Sequence, residues 1–507
     1  MLAAGTPGFG FRAGEVWAAH LAWSGDGVHW AERNPDGHAG LGVAELLAPG
    51  EVVLGPGEEY SAPPLLAVHS AADLDGVSAA YHRYLRDRPG HPRRPRPVVL
   101  NTWEAVYFDH RLERLAGLAE AAAGLGVERF VLDDGWFRRR RDDTAGLGDW
   151  YVDEGVWPAG LKPLIDHVRA LGMEFGLWVE PEMVNLDSDL YRAHPDWVLS
   201  APGRLPPPWR HQQVLDLANP DCFVYLLERL DALLGGHEIA FLKWDHNRDL
   251  IEAGHAGRPG VHAQTLAVYR LLDELRRRHP GVEIESCASG GGRVDLGILA
   301  RTDRIWASDT NDALERQHIQ RWTQQLVPPE LVGSHVGPPR SHTTGRTHDL
   351  GFRVATALFG HFGIEWDVGA ASAAEQQALA EAIALYRRLR ALLHGGEVVR
   401  ADHPDPAALL HGVVAPDRAE AVFAYVQLAT SATETPGPAR LPGLDPDRAY
   451  RVTPLEVAGG PDTKHRAGPA WYEAGGVILS GRALAEAGVQ LPVLRPEQAL
   501  LLQLTPP

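Results

Sequence analysis

Between about residue 98 and residue 395, short β-rich runs alternate with helical stretches that carry Ala, Leu, Arg and Glu. Such alternation is typical of parallel strands joined by helices. The strand candidates are Pro97–Thr102, Arg129–Asp133, Glu174–Val179, Ala240–Trp244, Val282–Ser286, Arg304–Ala307, Leu331–His335 and Phe362–Trp366. The helix candidates between them include Arg111–Leu125, Leu161–Leu171, Pro220–Leu234, Ala263–Arg278 and Ala373–Leu393. Eight alternations in about 300 residues predict a (β/α)₈ TIM barrel.

A doubly wound parallel sheet is the competing fold. No G-x-G-x-x-G sequence follows the first strand candidate. Gly290-Gly-Gly292 follows the fifth, but it lacks the helix-opening spacing and the Lys of a phosphate-binding loop. The pattern therefore favours the barrel within the α/β class.

The two ends of the chain have a different pattern, with short alternating strands separated by Gly and Pro turns. Residues 1–90 contain such strands, then a helix-like segment with Tyr81, Tyr84 and Leu85, and a linker rich in Pro and Arg at 88–97. Residues 396–507 contain the strand candidates Ala408–Val413, Ala421–Gln427, Tyr450–Pro454, Gly476–Leu479 and Ala499–Leu504. We expect a partial N-terminal β-sandwich with a linker helix (1–90), a catalytic barrel (91–395) and a C-terminal antiparallel β-sandwich (396–507).

Composition narrows the class of protein. The 507 residues carry a formal net charge of −18, which disfavours nucleic acid and anionic membranes as partners. No run approaches the roughly 20 apolar residues of a membrane span, and no signal-peptide pattern is visible. Cys222 and Cys287 are the only cysteines, so a disulfide framework is excluded and a cytoplasmic location is expected. Many of the 15 tryptophans stand beside Asp, Glu or Gly, an arrangement that suits sugar binding.

Polar residues follow six of the predicted barrel strands. In a TIM barrel the carboxyl ends of the strands meet at one face, which holds the active site. Carboxylates are costly to bury unpaired, so this concentration predicts a shared polar pocket. The six strand ends read Asn101-Thr-Trp-Glu104, Asp133-Asp-Gly-Trp136, Trp178-Val-Glu-Pro-Glu182, Lys243-Trp-Asp-His-Asn247, Glu285-Ser-Cys-Ala-Ser-Gly290 and Trp306-Ala-Ser-Asp309.

Asp245 and Asp309, at the ends of strands four and six, suit the cleavage of an acetal. That reaction needs one carboxyl to protonate the leaving oxygen and one to stabilise or trap the anomeric centre, about 5 Å apart for retention or wider for inversion. Lys243 lies two residues before Asp245 on the same face of its strand, which keeps Asp245 ionised. Asp309 has no adjacent cation, and partial desolvation would raise its pKa as an acid requires. The alternative is that either aspartate is only a helix N-cap.

The same residues resemble glycoside hydrolase family 36, the bacterial α-galactosidases. The resemblance implies hydrolysis of terminal α-galactosides such as melibiose and raffinose, with retention, through a covalent galactosyl-enzyme and without a metal or other cofactor. It covers the barrel nearly end to end, in the runs Asn101–Asp109, Leu132–Phe137, Gly176–Met183, His194–Trp197, Val214–Pro220, Lys243–Arg248, Glu285–Arg293 and Ser308–Asp312.

Roles for individual residues follow from the resemblance. It implies that Asp245 is the nucleophile and Asp309 the general acid/base. The residues implied to contact the sugar are Trp103 as a hydrophobic wall, Asp133 and Asp134 as acceptors for the O4 and O6 hydroxyls, Lys243 and Asn247 in the same subsite, Arg210, Cys287 and Gly290. His211 stands where Asn is commoner in the family. Glu180 and Glu182 are interpreted as structural residues that orient Trp178 and neighbouring loops.

The resemblance also implies a larger N-terminal β-supersandwich, of which the first 90 residues correspond to the final part. In some relatives that domain reaches the active site of a neighbouring subunit in a tetramer. A homo-oligomer is therefore an expected assembly.

Three alternatives remain at this point. The same barrel could serve an α-N-acetylgalactosaminidase or a galactosyl-transferring enzyme, although the small residues 287–292 favour galactose. A sugar-binding protein without turnover is the non-enzymatic alternative, but it would have no need of both Asp245 and Asp309. Metal-dependent hydrolysis fits poorly, because no His pair has the i, i+4 spacing with Glu that indicates zinc. The histidines considered are His246, His262, His335 and His342.

Overall fold

The computed structural model describes residues 1–435, 437–465 and 467–507. The N-terminal region forms an antiparallel sheet in the order β1-β2-β5 and a separate hairpin of β3 and β4. Its elements are β1 (Leu2–Gly5), β2 (Val16–Leu21), β3 (Gly27–Arg33), β4 (Ala39–Glu45), β5 (Leu65–Ser70) and α1 (Leu74–Asp87).

Helix α1 joins this region to the barrel. Asp73 caps its first turn by accepting a hydrogen bond from the Gly76 backbone N–H at 2.7 Å. Tyr81 and Leu85, four residues apart, are buried on one helix face, whereas Tyr84 is exposed. The buried face packs with Val16 of β2 and with barrel residues, including Ile305, in one apolar cluster. The N-terminal region thus rests on the barrel wall near the strand that ends before Asp309.

The central region contains twelve strands and ten α-helices in its described residues. The strands are β6 (Val99–Asn101), β7 (Arg129–Leu132), β8 (Glu174–Val179), β9 (Met183–Asn185), β10 (Gln212–Val214), β11 (Phe241–Trp244), β12 (Gly254–His255), β13 (Arg258–Pro259), β14 (Glu283–Ser286), β15 (Arg304–Trp306), β16 (Val332–Val336) and β17 (His361–Ile364). The helices are α2 (Trp103–Val106), α3 (Leu112–Leu125), α4 (Lys162–Ala170), α5 (Asp189–Ala193), α6 (Pro220–Gly236), α7 (Val261–Arg278), α8 (Leu296–Leu299), α9 (Ala313–Thr323), α10 (Leu350–Ala357) and α11 (Ala373–Gly395).

Eight of these strands close into a parallel barrel, as predicted. Their order around the barrel follows the chain, β6-β7-β8-β11-β14-β15-β16-β17, and β17 pairs with β6 to close it. The eight strands are largely buried, and short apolar runs without alternation are typical of parallel strands covered on both faces. Because all eight run in one direction, the polar residues after each strand meet at a single mouth. β11 and β17 lie on opposite sides of that mouth.

The other end of the barrel is held by an ionic cluster. Arg129, at the start of β7, is fully buried and pairs with Glu174 at 2.7 Å and with Glu283 at 2.9 Å. Arg94 and Arg96 also contact Glu283, at 3.0 and 3.1 Å. Burial would raise the pKa of Glu283, but the three guanidinium groups lower it to about 2. Three barrel strands and the linker before β6 are thereby tied together.

The C-terminal region forms one six-stranded antiparallel sheet in the order β18-β19-β20-β23-β21-β22. Val422, Ala424 and Val426 of β20 point to the barrel core, whereas Phe423 and Tyr425 point to a second apolar cluster, as expected for alternation along a strand. Its elements are β18 (Glu397–Arg400), β19 (Ala408–Val414), β20 (Ala421–Gln427), β21 (Ala449–Leu455), α12 (Ala470–Glu473), β22 (Val477–Ser480), α13 (Gly481–Glu486) and β23 (Gln498–Thr505).

The predicted antiparallel strands are present here, but among the described residues they lie in one sheet and not in two stacked sheets. Its outer face is covered by Leu441, Leu444, Leu484 and Leu491, which come from connecting segments and α13. These segments pair only through isolated bridges, so they bury apolar surface without forming a second sheet. Across the described ranges, no helix is long and apolar enough to cross a membrane.

Replacement of Arg129 by Ala is expected to destabilise the barrel. The change leaves Glu283, a part-buried carboxylate, with Arg94 and Arg96 as its remaining cationic partners. Breaking a fully buried pair costs about 3–5 kcal/mol, so we expect a cost of about 1–3 kcal/mol here. The midpoint of thermal unfolding should fall by several degrees, by about 2–4 °C per kcal/mol for a domain of this size. Arg482→Ala, at an exposed ion pair, is the control and should lower the free energy of unfolding by less than about 1 kcal/mol, with a correspondingly smaller shift of the midpoint. Equal shifts would contradict this account of the cluster.

Candidate active site

A cavity of about 200 Å³ opens at the mouth formed by the carboxyl ends of the barrel strands. Eight of the ten residues predicted from sequence line it, and Cys287 and Gly290 do not. The lining residues are Trp103, Glu104, Asp133, Asp134, Trp178, Arg210, Lys243, Asp245, Asn247, Trp306, Asp309, His342 and Glu365.

Asp245 follows β11 and is held by hydrogen bonds to both carboxylate oxygens. Oδ1 accepts from the His246 backbone N–H at 2.8 Å, while Oδ2 accepts from Asn247 Nδ2 at 2.7 Å and Trp178 Nε1 at 3.2 Å. Burial alone would raise the pKa of Asp245, but the Lys243 ammonium and these donors leave it below its ordinary value. Asp245 is therefore an ionised, oriented carboxylate at the cavity wall.

Lys243 supplies the positive charge of this wall. It is buried, and its Nζ lies 2.8 Å from Asp133 Oδ2, which also accepts a hydrogen bond from Asn101 Nδ2 at 2.7 Å. Burial would lower the pKa of Lys243, but Asp133, Glu365 and Asp245 hold it well above its ordinary value. The ammonium stays charged and interacts with two carboxylates, one after β7 and one after its own strand β11, which are separated by β8.

Asp134 is clamped by an arginine that sequence reasoning missed. Arg140 Nε contacts both carboxylate oxygens of Asp134, at 3.0 and 3.1 Å, and its Nη2 lies 2.8 Å from Oδ2. Both side chains are buried. Burial raises the pKa of Asp134 despite this pairing. The clamp fixes the carboxylate geometry and leaves its remaining lone pairs as the acceptors available to a ligand hydroxyl.

Asp309 lies on the loop after β15 and differs from Asp245 in its surroundings. Its side chain is reached by solvent within the recess, and Oδ1 accepts from Trp306 Nε1 at 3.1 Å. Desolvation and the nearby Asp245 carboxylate raise the pKa of Asp309 to about 6. A bound ligand would displace water from this recess and strengthen both effects. One carboxyl is thus biased to hold a proton while the other is biased to be ionised.

Cys287 and Gly290 adjoin the two aspartates of the cavity wall. Cys287 is buried, and its thiol donates a hydrogen bond to Asp245 that helps to lower the pKa of that carboxyl. Gly290 has φ +80°, and a Cβ there would meet the Asp309 backbone nitrogen and the Ser308 Cα, each at 2.6 Å. Both residues are packed against the two aspartates that line the cavity, and their contact with a sugar stays a prediction.

Arg210 reaches the cavity from a strained turn between Trp209 and Gln212. Arg210 and His211 both have positive φ, 48° and 60°, where Gly or Asn is favoured. Arg210 Nη1 donates to Asn247 Oδ1 at 2.9 Å, so the turn is tied to the residue that orients Asp245. Asn at position 211 would adopt this backbone with less strain than His.

Glu180 and Glu182 have structural roles, but they do not orient Trp178 as expected. Glu180 Oε1 accepts from the Asn247 backbone N–H at 2.6 Å, and Glu182 Oε1 accepts from Trp244 Nε1 at 2.8 Å. Burial and repulsion by Asp245 raise the pKa of Glu180 to about 8. Burial would also raise the pKa of Glu182, but Arg293 and His246 hold it well below its ordinary value. The indole N–H of Trp178 is oriented by Asp245 itself.

Five lining residues were absent from the predicted site. Trp178 donates to Asp245 and Trp306 donates to Asp309. Both tryptophans stand at strand ends, so their position in the sequence could have predicted that they line the site. Glu365 follows β17, opposite β11, and the same strand-end rule would have found it. Burial, with Asp133 nearby, raises the pKa of Glu365 to about 7 although Lys243 opposes this. Glu104 and His342 form an ion pair across the mouth, and nothing in the sequence indicates that His342 reaches it.

Comparison with known families accounts for almost the whole chain. Residues 1–55 match the glycosyl hydrolase family 36 N-terminal domain, residues 59–396 match Melibiase, and residues 409–504 match the family 36 C-terminal domain. An α-galactosidase of Escherichia coli is 49% identical over 99% of this chain and 72% of its own length. The α-galactosidase AgaA of Geobacillus stearothermophilus is 37% identical over 88% of this chain and 63% of its length.

Solved structures agree with these sequence matches. The crystal structure of the family 36 α-galactosidase AgaA has a TM-score of 0.90 and 34% identity, covering 99% of this chain and 69% of that one. A variant of AgaA in complex with raffinose has a TM-score of 0.91 with the same identity and coverage. The chain therefore belongs to glycoside hydrolase family 36, and its enzyme class is that of the α-galactosidases.

Replacement of Gly290 by Ala should impair the site without unfolding the chain. The new Cβ would sit at a positive φ and press on the backbone that carries Asp309, and local strain of this kind costs about 1–3 kcal/mol. We expect kcat on an α-galactoside to fall by about tenfold or more, with an unchanged circular dichroism spectrum. The matched control is Gly117→Ala, in an open position on α3. Unimpaired kcat in Gly290→Ala would contradict the close approach described here.

Proposed function

We propose that this chain is a retaining, exo-acting α-galactosidase that uses Asp245 as nucleophile and Asp309 as general acid/base. The observation that carries the proposal is the opposite bias of the two carboxyls on one cavity. Asp245 is buried beside Lys243 and held ionised, whereas desolvation and the Asp245 carboxylate raise the pKa of Asp309 to about 6. A double displacement requires this division between a nucleophile and an acid.

In the first step, Asp309 gives its proton to the glycosidic oxygen while an Asp245 oxygen forms a bond to the anomeric carbon. The leaving saccharide departs with that proton, and a galactosyl ester of Asp245 remains. In the second step, Asp309, now ionised, takes a proton from water as the water attacks the anomeric carbon and releases Asp245. Two inversions at that carbon leave the product with the configuration of the substrate.

Preference for a terminal galactosyl unit is supported by the closed inner end of the cavity. Asp133, Asp134 and Lys243 are buried there and offer charged partners for sugar hydroxyls, while Trp103 and Trp178 supply apolar walls. Variants of AgaA have been solved with raffinose and stachyose bound. We therefore propose melibiose and the raffinose series as substrates.

We also propose a cytoplasmic location, division into domains at about residues 90 and 395, and assembly as a homo-oligomer. Support for the first is that the two cysteines, Cys222 and Cys287, are buried and unpaired with each other. The division into domains is supported by the apolar clusters at their boundaries. One cluster joins the N-terminal sheet to the barrel, and another joins the barrel to the C-terminal sheet. Size-exclusion chromatography with light scattering tests the oligomer directly.

Replacement of Asp245 by Ala should abolish hydrolysis of p-nitrophenyl α-galactoside, and azide should restore turnover. The small anion can enter the space of the missing carboxylate and attack the anomeric carbon from the same side, which yields β-galactosyl azide. Product analysis by NMR checks the anomer. Normal activity in Asp245→Ala would end the assignment. A strong preference of the wild-type protein for the N-acetylgalactosaminide would instead indicate the alternative substrate.

The pH dependence of kcat/KM on melibiose should have a descending limb near pH 6. The raised pKa of Asp309 means that the acid form predominates below about 6 and is lost above it, while the lowered pKa of Asp245 keeps the nucleophile ionised through this range. For an aryl galactoside with a good leaving group, protonation matters less and the limb should be shallower. A rate on melibiose that rises steadily from pH 5 to 8 would contradict the acid role of Asp309.

A further inference from the structure

His342 is the one histidine among the residues that line the cavity in the described chain. It belongs to the connection between β16 and α10, residues 337–349, six residues beyond the end of β16. Its side chain is 40% exposed, whereas the Asp133, Asp134 and Lys243 side chains are at most 8% exposed. His342 therefore stands at the rim of the cavity, above the buried groups assigned to the galactosyl unit.

The segment that carries His342 is a compact turn. The Ser341 backbone N–H donates to the Arg346 carbonyl at 2.9 Å, and the Gly345 N–H donates to the Ser341 carbonyl at the same distance. Arg346 and Thr344 both contact Asp312 Oδ2, and Asp312 caps α9 three residues after Asp309. The turn is thus fixed to the same loop that carries the proposed acid, so His342 has a defined position relative to Asp309.

Glu104 orients the imidazole. Its Oε1 lies 3.3 Å from His342 Nδ1 and accepts a hydrogen bond from Asn311 Nδ2 at 2.6 Å. Its Oε2 is buried and has no hydrogen-bond partner within the described ranges, an arrangement that costs stability and is not explained by packing alone. With Nδ1 engaged by Glu104, the Nε2 edge of the ring is the one left for a ligand.

A positively charged His342 would be a good donor to a hydroxyl oxygen of the ligand. The hydrogen bond to Glu104, with Glu365 and Asp309 as further carboxylates around the ring, raises the pKa of His342. An imidazolium donates from Nε2, and a hydrogen bond from a charged donor is worth about 1.5–3 kcal/mol. His342 and Asp309 line the same cavity, and Asp309 is the proposed donor to the glycosidic oxygen, so we expect the ring to face the leaving group.

We propose that His342 is a specificity-determining residue that binds a hydroxyl of the leaving saccharide through Nε2, with Glu104 as its positioning residue. This inference rests on the proposed α-galactosidase function and adds the recognition of a saccharide, as opposed to a simple alcohol, on the far side of the cleaved bond. The buried galactosyl partners bind the sugar that every substrate shares, and His342 distinguishes what is attached to it.

Two substrates separate this role from an effect on the acid. Melibiose and methyl α-galactoside both have poor leaving groups that need protonation by Asp309, but only melibiose offers hydroxyls beyond the glycosidic oxygen. In His342→Ala, kcat/KM on melibiose should fall by about tenfold or more, while kcat/KM on methyl α-galactoside should change by less than about twofold. His342→Gln, which can still donate, should recover part of the loss on melibiose. Glu104→Gln should show a smaller loss with the same dependence on substrate.

His318→Ala, on an exposed face of α9, is the matched control and should leave both substrates unaffected. Equal loss on melibiose and methyl α-galactoside in His342→Ala would show that the residue acts through Asp309 or the fold, and would overturn the proposal. Unchanged activity on melibiose would overturn it as well. Failure of the proposed function has a different signature, because the wild-type protein would then hydrolyse neither substrate.

Discussion

The site depends on one constraint: Lys243 must stay charged in a buried position between Asp133 and Asp245. The mouth of the barrel holds more carboxyls than cations, so the groups around Lys243 cannot all be ionised at neutral pH. The Lys243 ammonium and the N–H donors determine which of these carboxyls are ionised and which keep a proton. Asp245 is held ionised, while the pKa values of Glu180, Glu365 and Asp309 rise to about 8, 7 and 6. The proposed acid, Asp309, and the proposed nucleophile, Asp245, thus owe their different pKa values to the same set of charges.

Much of this arrangement could be predicted from the sequence because a parallel barrel converts chain position into spatial position. Once eight strands are assigned, every residue just after a strand is expected at one mouth, which is why Asp133, Asp245 and Asp309 could be grouped before any coordinates. The period-two spacing of Lys243 and Asp245 likewise predicted their shared face. The same rule, applied to strand eight, would have added Glu365.

The parts of the site that could not be predicted depend on loops, because the path of a loop follows no periodic pattern in the sequence. Arg140 reaches back to Asp134 from the connection after β7, and His342 arrives from a turn six residues beyond the end of β16. The interpretation of Cys287 and Gly290 as sugar contacts rests on a linear motif and stays a prediction, because a motif does not show which way a side chain faces. The sequence also did not show that the C-terminal region has one sheet instead of two. The segments that cover the sheet have strand-like apolar residues but pair only at isolated bridges.

Covalent trapping tests the central claim most directly. A 5-fluoro-α-galactosyl fluoride slows the second displacement, so the ester accumulates, and digestion followed by mass spectrometry locates the label. If Lys243 keeps Asp245 as the ionised nucleophile, the galactosyl label will be on Asp245, and the first galactose released from an unmodified substrate will be the α anomer. A label on Asp309 or on any other carboxylate, or β-galactose as the first product, would contradict the account.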